Sequence, residues 1–142
     1  VVNVSRRPSP TQHPNLHNYS VDLSDAKATT DVATTIAAQH RITDLVHNAG
    51  VIRPALLESV DLADLEMLTR IHLGAAITLA QAALPSMREA GNGRIVLISS
   101  RAAMGLETRT CYSATKSGMV GMARTWALEL GAEGITVNVV AP

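Results

Sequence analysis

Short runs of β-branched and aliphatic residues alternate along this chain with longer segments whose apolar positions recur at helical spacing. The short runs predict five strands, near Val1–Ser5, His17–Val21, Asp44–Asn48, Arg94–Ser99 and Thr136–Val140. The longer segments predict three helices, near Asp25–His40, Leu62–Glu89 and Tyr112–Gly131. This alternation is typical of an α/β domain in which a parallel sheet carries helices on both faces.

Several residues mark where these elements begin and end. Asp61 is placed to cap the long second helix. Pro85 is expected to kink that helix or shorten its end, because proline has no N–H for the helical ladder. Residues 6–16 contain three prolines, so the first crossover is predicted to be a stiff loop without a helix.

Composition narrows the class of protein. A length of 142 residues predicts one domain, 1–142. Zero net charge with 17% charged residues gives no reason to expect a nucleic-acid or membrane partner. The single cysteine, Cys111, excludes an internal disulfide, and the chain has no signal-peptide pattern, so a cytoplasmic location is predicted. His13 and His17 lie in a proline-rich loop and lack further ligands, so no metal site is predicted.

The most informative stretch is Tyr112-Ser113-Ala114-Thr115-Lys116, preceded by the pair Ser99-Ser100. Four-residue spacing puts the phenol and the ammonium on one helical face, one turn apart. A free phenol titrates near pH 10, and a neighbouring cation stabilises the phenolate and makes proton transfer near neutral pH feasible. The pattern predicts a proton-transfer site for an alcohol or a carbonyl, with a serine holding the substrate oxygen.

Five motifs together resemble the short-chain dehydrogenase/reductase family. They are Val21-Asp22-Leu23, His47-Asn48-Ala49-Gly50, Gly93 to Ser100, Tyr112 to Lys116, and Ile135 to Pro142. The resemblance implies a Rossmann-type, doubly wound parallel sheet and hydride transfer between a nicotinamide cofactor and a carbonyl or secondary alcohol. It also implies a homodimer or homotetramer, paired near a small-residue helix face of Gly118, Gly121, Ala123 and Ala127.

The resemblance assigns catalytic roles to matching residues. Tyr112 is the acid/base, and Lys116 tunes the phenol and binds the cofactor ribose. The family's serine usually stands thirteen residues before the tyrosine, which is Ser99, but the motif itself aligns better with Ser100, which is preferred. His72 occupies a position where the family has an asparagine that anchors a proton-relaying water. Its imidazole either holds such a water or is packed in the core with the relay altered.

The cofactor contacts implied are Asp22 and Leu23 at the adenine, Asn48, Ala49 and Gly50 along the adenosine side, Tyr112 and Lys116 at the ribose, and Pro142 in the last motif. Arg6 and Arg7 follow the first strand, which ends in Ser5 and not in an acid. An arginine there can pair with a 2′-phosphate, whereas an NAD site places an acid there. NADP is therefore preferred over NAD, with Arg6 as the phosphate contact.

Two family features are missing from the sequence: a Gly-rich turn ahead of Val1 and the segment that follows Pro142. The chain is expected to be an internal fragment, incomplete at both ends, that lacks a central strand. The alternatives to an active oxidoreductase are a dinucleotide-binding relative with little turnover and an inactive fragment.

Overall fold

The computed structural model describes residues 1–142, and the ends of every predicted element agree to within two residues, although the second predicted helix is divided in two. The strands are β1 (Val2–Ser5), β2 (His17–Ser20), β3 (Asp44–His47), β4 (Gly93–Ile98) and β5 (Ile135–Val140). The helices are α1 (Ala26–Gln39), α2 (Leu62–Thr69), α3 (Ala75–Ala90) and α4 (Thr110–Leu130). Residues 6–16 form no helix, as their prolines predicted.

All strand pairs are parallel, but they form two separate sheets. One sheet pairs β1 with β2, with Ser5 opposite Ser20. The other has the order β3-β4-β5, with Ile98 opposite Val140. β1 and β3 therefore each have a single partner strand and lie at sheet edges.

The main core lies between one face of the larger sheet and the helices α3 and α4. Ile95 and Leu97 of β4 are fully buried, and alternate residues of the strand point the other way. The remaining buried members come from α3, α4 and β5: Ala76, Ala80, Ala83, Met87, Met119, Ala123, Leu130 and Ile135. The chain has no Phe, and alanine, isoleucine, leucine and methionine fill this core.

The opposite face of the larger sheet is open to solvent. Val46 is 62% exposed and Val140 is 48% exposed, whereas a sheet covered on both faces would bury them. Within residues 1–142, both long helices that pack on this sheet lie on the Ile95 face.

The second helix departs from prediction at its middle and not at Pro85. Asp61 caps it as predicted, since its Oδ1 accepts from the Ala63 N–H at 2.9 Å. A π-helical turn at Arg70–Gly74 then separates α2 from α3. α3 continues through Pro85 to Ala90, so the prediction that the proline shortens the end of the helix is wrong. Burial of Ala83 and Met87 around the proline holds the helix in place.

By length and composition alone, the stretch Leu62–Ala90 is long and apolar enough to cross a membrane. The fold buries 39% of an apolar 18-residue segment within it. The apolar side chains of α3 that face β4 and α4 belong to the core. Packing inside the fold therefore accounts for part of the apolar character of this stretch.

The small residues of α4 do not form one continuous face. Ala123 is buried in the core, whereas a Cβ placed on Gly121 would contact nothing. A Cβ on Gly118 would approach Leu73 of the π-helical turn at 3.4 Å. The predicted small-residue helix face therefore lies partly against the protein interior and partly on the protein surface.

Candidate active site

The carboxyl ends of β3 and β4 and the first turns of α4 surround an open cavity of about 270 Å³. Parallel sheets place ligands at this edge, where loops and helix starts diverge. The lining residues are Asn48, Gly50, Ile52, Ile98, Ser99, Ser100, Tyr112, Lys116 and Pro142. Six of the predicted site residues therefore line one cavity, whereas Arg6, Asp22, Leu23, Ala49 and His72 do not line it.

The two candidate serines are bonded differently. Ser99 is buried, and its hydroxyl donates to the Lys116 carbonyl at 2.8 Å. Ser100 is half-buried, and its Oγ accepts from the Ala102 N–H at 3.2 Å, which caps a 3₁₀ turn at Arg101–Met104. The Ser100 hydroxyl proton has no acceptor in the protein. It is free to donate to an oxygen in the cavity.

Lys116 is only 3% exposed. Its Nζ donates to the Ile98 carbonyl at 2.6 Å and stands 5.6 Å from the centre of the Tyr112 ring. Burial lowers the pKa of Lys116, because removal from water disfavours the ammonium. A poorly solvated cation so close to a phenol interacts with it more strongly than the same pair would in water.

The turn after β3 is closely packed against these groups. A Cβ on Gly50 would lie 3.0 Å from His72 Nε2 and 3.5 Å from Lys116 Nζ. The first distance is tighter than ordinary contact and the second is ordinary, so a side chain at this position would require the His72 ring to shift slightly. Asn48 is exposed and its side chain makes no hydrogen bond within the chain.

His72 lies in the π-helical turn and is fully buried. Its Nε2 accepts from the Val51 N–H at 3.2 Å, and its Nδ1 lies 2.8 Å from Thr115 Oγ1. The ring meets Tyr112 edge-on, with centroids 5.6 Å apart. Burial, with Lys116 and then His47 contributing, lowers the pKa of His72 to about 4. Both ring nitrogens are engaged by protein groups, so the packed arrangement is the one observed.

Sequence reasoning assigned no role to His47 or Thr115. His47 is buried at the end of β3, and its Nε2 lies 3.0 Å from the Ile71 carbonyl in the π-helical turn. Burial lowers the pKa of His47 to about 4. Two signals were available: His47 directly precedes Asn48, and Thr115 lies between Tyr112 and Lys116. Neither position in the sequence, however, predicts that these side chains contact the π-helical turn.

The predicted adenine and phosphate contacts lie around the smaller sheet. Leu23 is buried in a cluster with Val21 and Ala75, against which Ala49 packs. Asp22 is exposed, and hydrogen bonds from the backbone and hydroxyl of Ser24 lower its pKa, with a smaller contribution from Arg6. Arg6 and Arg7 are exposed after β1, and neither forms a salt bridge.

Comparison with known proteins identifies relatives along nearly the whole chain. Residues 8–142 match the family model for short chain dehydrogenases. A (2S)-[(R)-hydroxy(phenyl)methyl]succinyl-CoA dehydrogenase subunit of Thauera aromatica is 45% identical over 78% of this chain and 45% of its own length. A 3-oxoacyl-[acyl-carrier-protein] reductase of Thermotoga maritima is 35% identical over 87% of this chain and 51% of its own length. The chain thus spans about half the length of these relatives.

Solved structures show the same fold. A crystal structure provisionally assigned as an NAD(P)-dependent gluconate 5-dehydrogenase of Beutenbergia cavernae, with NADP at low occupancy, is 34% identical. It aligns with a TM-score of 0.85 over 89% of this chain and 51% of that one. A short-chain dehydrogenase of Streptomyces avermitilis aligns with a TM-score of 0.88 at 28% identity over 99% of this chain and 55% of that one.

Proposed function

Since this chain belongs to the short-chain dehydrogenase family, we propose that the whole protein transfers hydride between NADP(H) and a carbonyl or secondary alcohol. One observation carries the proposal: the Ser100 hydroxyl, the Tyr112 phenol and the buried Lys116 ammonium border the same cavity. A proton donor, a hydrogen-bond donor and a cation are the groups that a carbonyl oxygen needs as it becomes an alkoxide.

The three side chains have distinct roles. In the reducing direction, the Tyr112 phenol gives its proton to the substrate oxygen, and the Lys116 ammonium stabilises the phenolate that remains. Ser100 donates its free hydroxyl proton to the same oxygen and fixes its position. In the oxidising direction the phenolate takes the proton back.

The residues present fit the nicotinamide and ribose end of a dinucleotide. Hydroxyl, phenol, ammonium and a tightly packed glycine turn line the cavity, and these groups suit ribose hydroxyls and a carboxamide. Lys116, Tyr112, Pro142 and the turn Asn48–Gly50 would hold that end, while Asp22 and Leu23 would contact the adenine. The nicotinamide supplies the hydride, which none of these side chains can provide.

The preference for NADP rests on the end of β1. Arg6 is exposed there without an ion-pair partner, and the strand ends in Ser5, whose hydroxyl donates to the Arg7 carbonyl. A free guanidinium can pair with a 2′-phosphate in two parallel hydrogen bonds. The related Beutenbergia cavernae structure was solved with NADP, which agrees with this preference.

A reductase assay with the full-length protein tests the proposal. NADPH oxidation is followed with a panel of small ketones and β-ketoacyl thioesters for the parent and Tyr112→Phe. We expect turnover to fall by about 10²-fold or more, with NADPH affinity nearly unchanged, because only the positioned acid is lost. Tyr19→Phe, at the other tyrosine of the chain, is the matched control and should retain activity. Equal turnover in Tyr112→Phe and the parent would contradict the proposal.

A further inference from the structure

His72 connects the cavity to the protein interior without facing the cavity itself. It lies in the π-helical turn between α2 and α3, with no exposed surface. Single π-turns inside α-helices occur often at functional sites, because they redirect side chains and free backbone groups. This turn brings the ring between the loop after β3 and the start of α4.

The hydrogen bonds of His72 have a fixed direction. The Val51 N–H can only donate, so Nε2 must offer its lone pair. A neutral imidazole then carries its proton on Nδ1, which donates to Thr115 Oγ1 at 2.8 Å. The Thr115 hydroxyl donates in turn to the carbonyls of Cys111 and Tyr112, each at 3.0 Å. A series of hydrogen bonds thus runs from the loop to α4, where the two carbonyls share the single Thr115 hydroxyl proton.

We propose that His72 is a positioning residue: as the neutral Nδ1–H tautomer, it holds the Gly50–Val51 loop and the first turn of α4 in fixed register. By this route it sets where the Tyr112 phenol stands in the cavity. The inference rests on the proposed function only through the role of Tyr112. In this proposal the imidazole holds the site in place and does not relay a proton.

The surroundings of the ring disfavour the alternative of a proton carrier. The titratable groups that face it are Lys116 and Tyr112 from α4 and His47 from β3. Burial and the two basic neighbours lower the pKa of His72 to about 4. A charged His72 would also lose the hydrogen bond from Val51, because its Nε2 would then be a donor.

Long-range ¹H–¹⁵N NMR of the histidine rings in the full-length protein tests the tautomer directly. At neutral pH, His72 should show the Nδ1–H pattern, and His47 should show the opposite Nε2–H pattern, because its Nε2 faces a carbonyl that can only accept. The His72 signals are assigned by their loss in His72→Asn or, if that variant does not fold, by their shift in Thr115→Val. An imidazolium or an Nε2–H pattern for His72 would overturn the proposal.

Kinetics of Thr115 variants test the positioning. Thr115→Val removes the hydroxyl while keeping the side-chain shape, and kcat should fall by about tenfold with NADPH affinity within about twofold. Thr115→Ser should restore kcat to within about threefold of the parent. Thr125→Val is the matched control, since its hydroxyl bonds only to Gly121 of the same helix. Parental kcat in Thr115→Val would overturn the proposal. An inactive parent would instead refute the proposed function, and the tautomer measurement would then decide whether His72 has the proposed hydrogen bonds.

Discussion

The Ser99 hydroxyl donates to the backbone carbonyl of Lys116 at 2.8 Å, and this buried bond fastens the end of β4 to the second turn of α4. The side chain of Lys116 also bonds to this strand, since its Nζ donates to the Ile98 carbonyl. Two bonds therefore fix the lysine's backbone and ammonium relative to one strand end. The adjacent Ser100 is left to face the cavity.

This division predicts different consequences for the two serines. Ser100→Ala should lower kcat by about 10–10²-fold with little change in stability, because it removes a donor to the substrate oxygen. Ser99→Ala should lower the free energy of unfolding by about 1 kcal/mol, the usual cost of a lost hydrogen bond, and retain most turnover. Steady-state assays and urea titrations of both variants provide the measurement. A larger loss of kcat in Ser99→Ala than in Ser100→Ala would reverse the assignment.

Arg6→Ala should weaken NADPH binding by roughly 1–3 kcal/mol and leave NADH binding unchanged, because only NADPH loses a charge-assisted pair. Isothermal titration of the full-length variant with each cofactor measures the difference. Arg7→Ala is the matched control, since the neighbouring Arg7 is also exposed. Should Arg7→Ala alone discriminate between the cofactors, the phosphate contact would belong to Arg7.

Two buried histidines predict a fall in stability in mild acid. The pKa values of His47 and His72 are both lowered to about 4 in the folded protein, whereas an unfolded histidine titrates near 6.5. As pH falls through this window, protons bind the unfolded chain first. The free energy of unfolding therefore falls from about pH 6.5 to about pH 4, and this contribution levels off below that range.

Urea unfolding of the full-length protein at pH 6 and pH 5 should show a difference of roughly 2 kcal/mol from the two histidines. His72→Asn should show about half of it. His13→Gln, on the exposed proline-rich loop, should behave as the parent does. An identical pH dependence in His72→Asn and the parent would contradict the buried neutral state.

Residues 1–142 produced alone should bind NADPH negligibly. β1 and β3 each have one partner strand, and unpaired strand edges favour aggregation over a defined site. The chain also has no Gly-rich turn leading into a helix, the usual cradle for a pyrophosphate. Calorimetric titration of the purified chain with NADPH is the test. A saturable micromolar isotherm would show that the two sheets form a competent site unaided.

Local signals in the sequence were sufficient to predict the secondary-structure elements and the protein family. Strand and helix positions follow from periodicity and from caps such as Asp61, because these depend on neighbours within a few residues. Tyr112 and Lys116 were also readable, since one helical turn fixes their relative placement. The five motifs led to the family to which the matched model assigns the chain.

Only the tertiary structure decided how distant segments meet. The π-helical turn at Arg70–Gly74, the uninterrupted helix at Pro85 and the burial of His72 depend on packing between α3, β4 and α4. The different hydrogen bonds of Ser99 and Ser100 depend on which hydroxyl reaches the Lys116 carbonyl, a partner 17 residues away from Ser99. Such contacts bring together residues far apart in the chain, and local propensity carries no information about them.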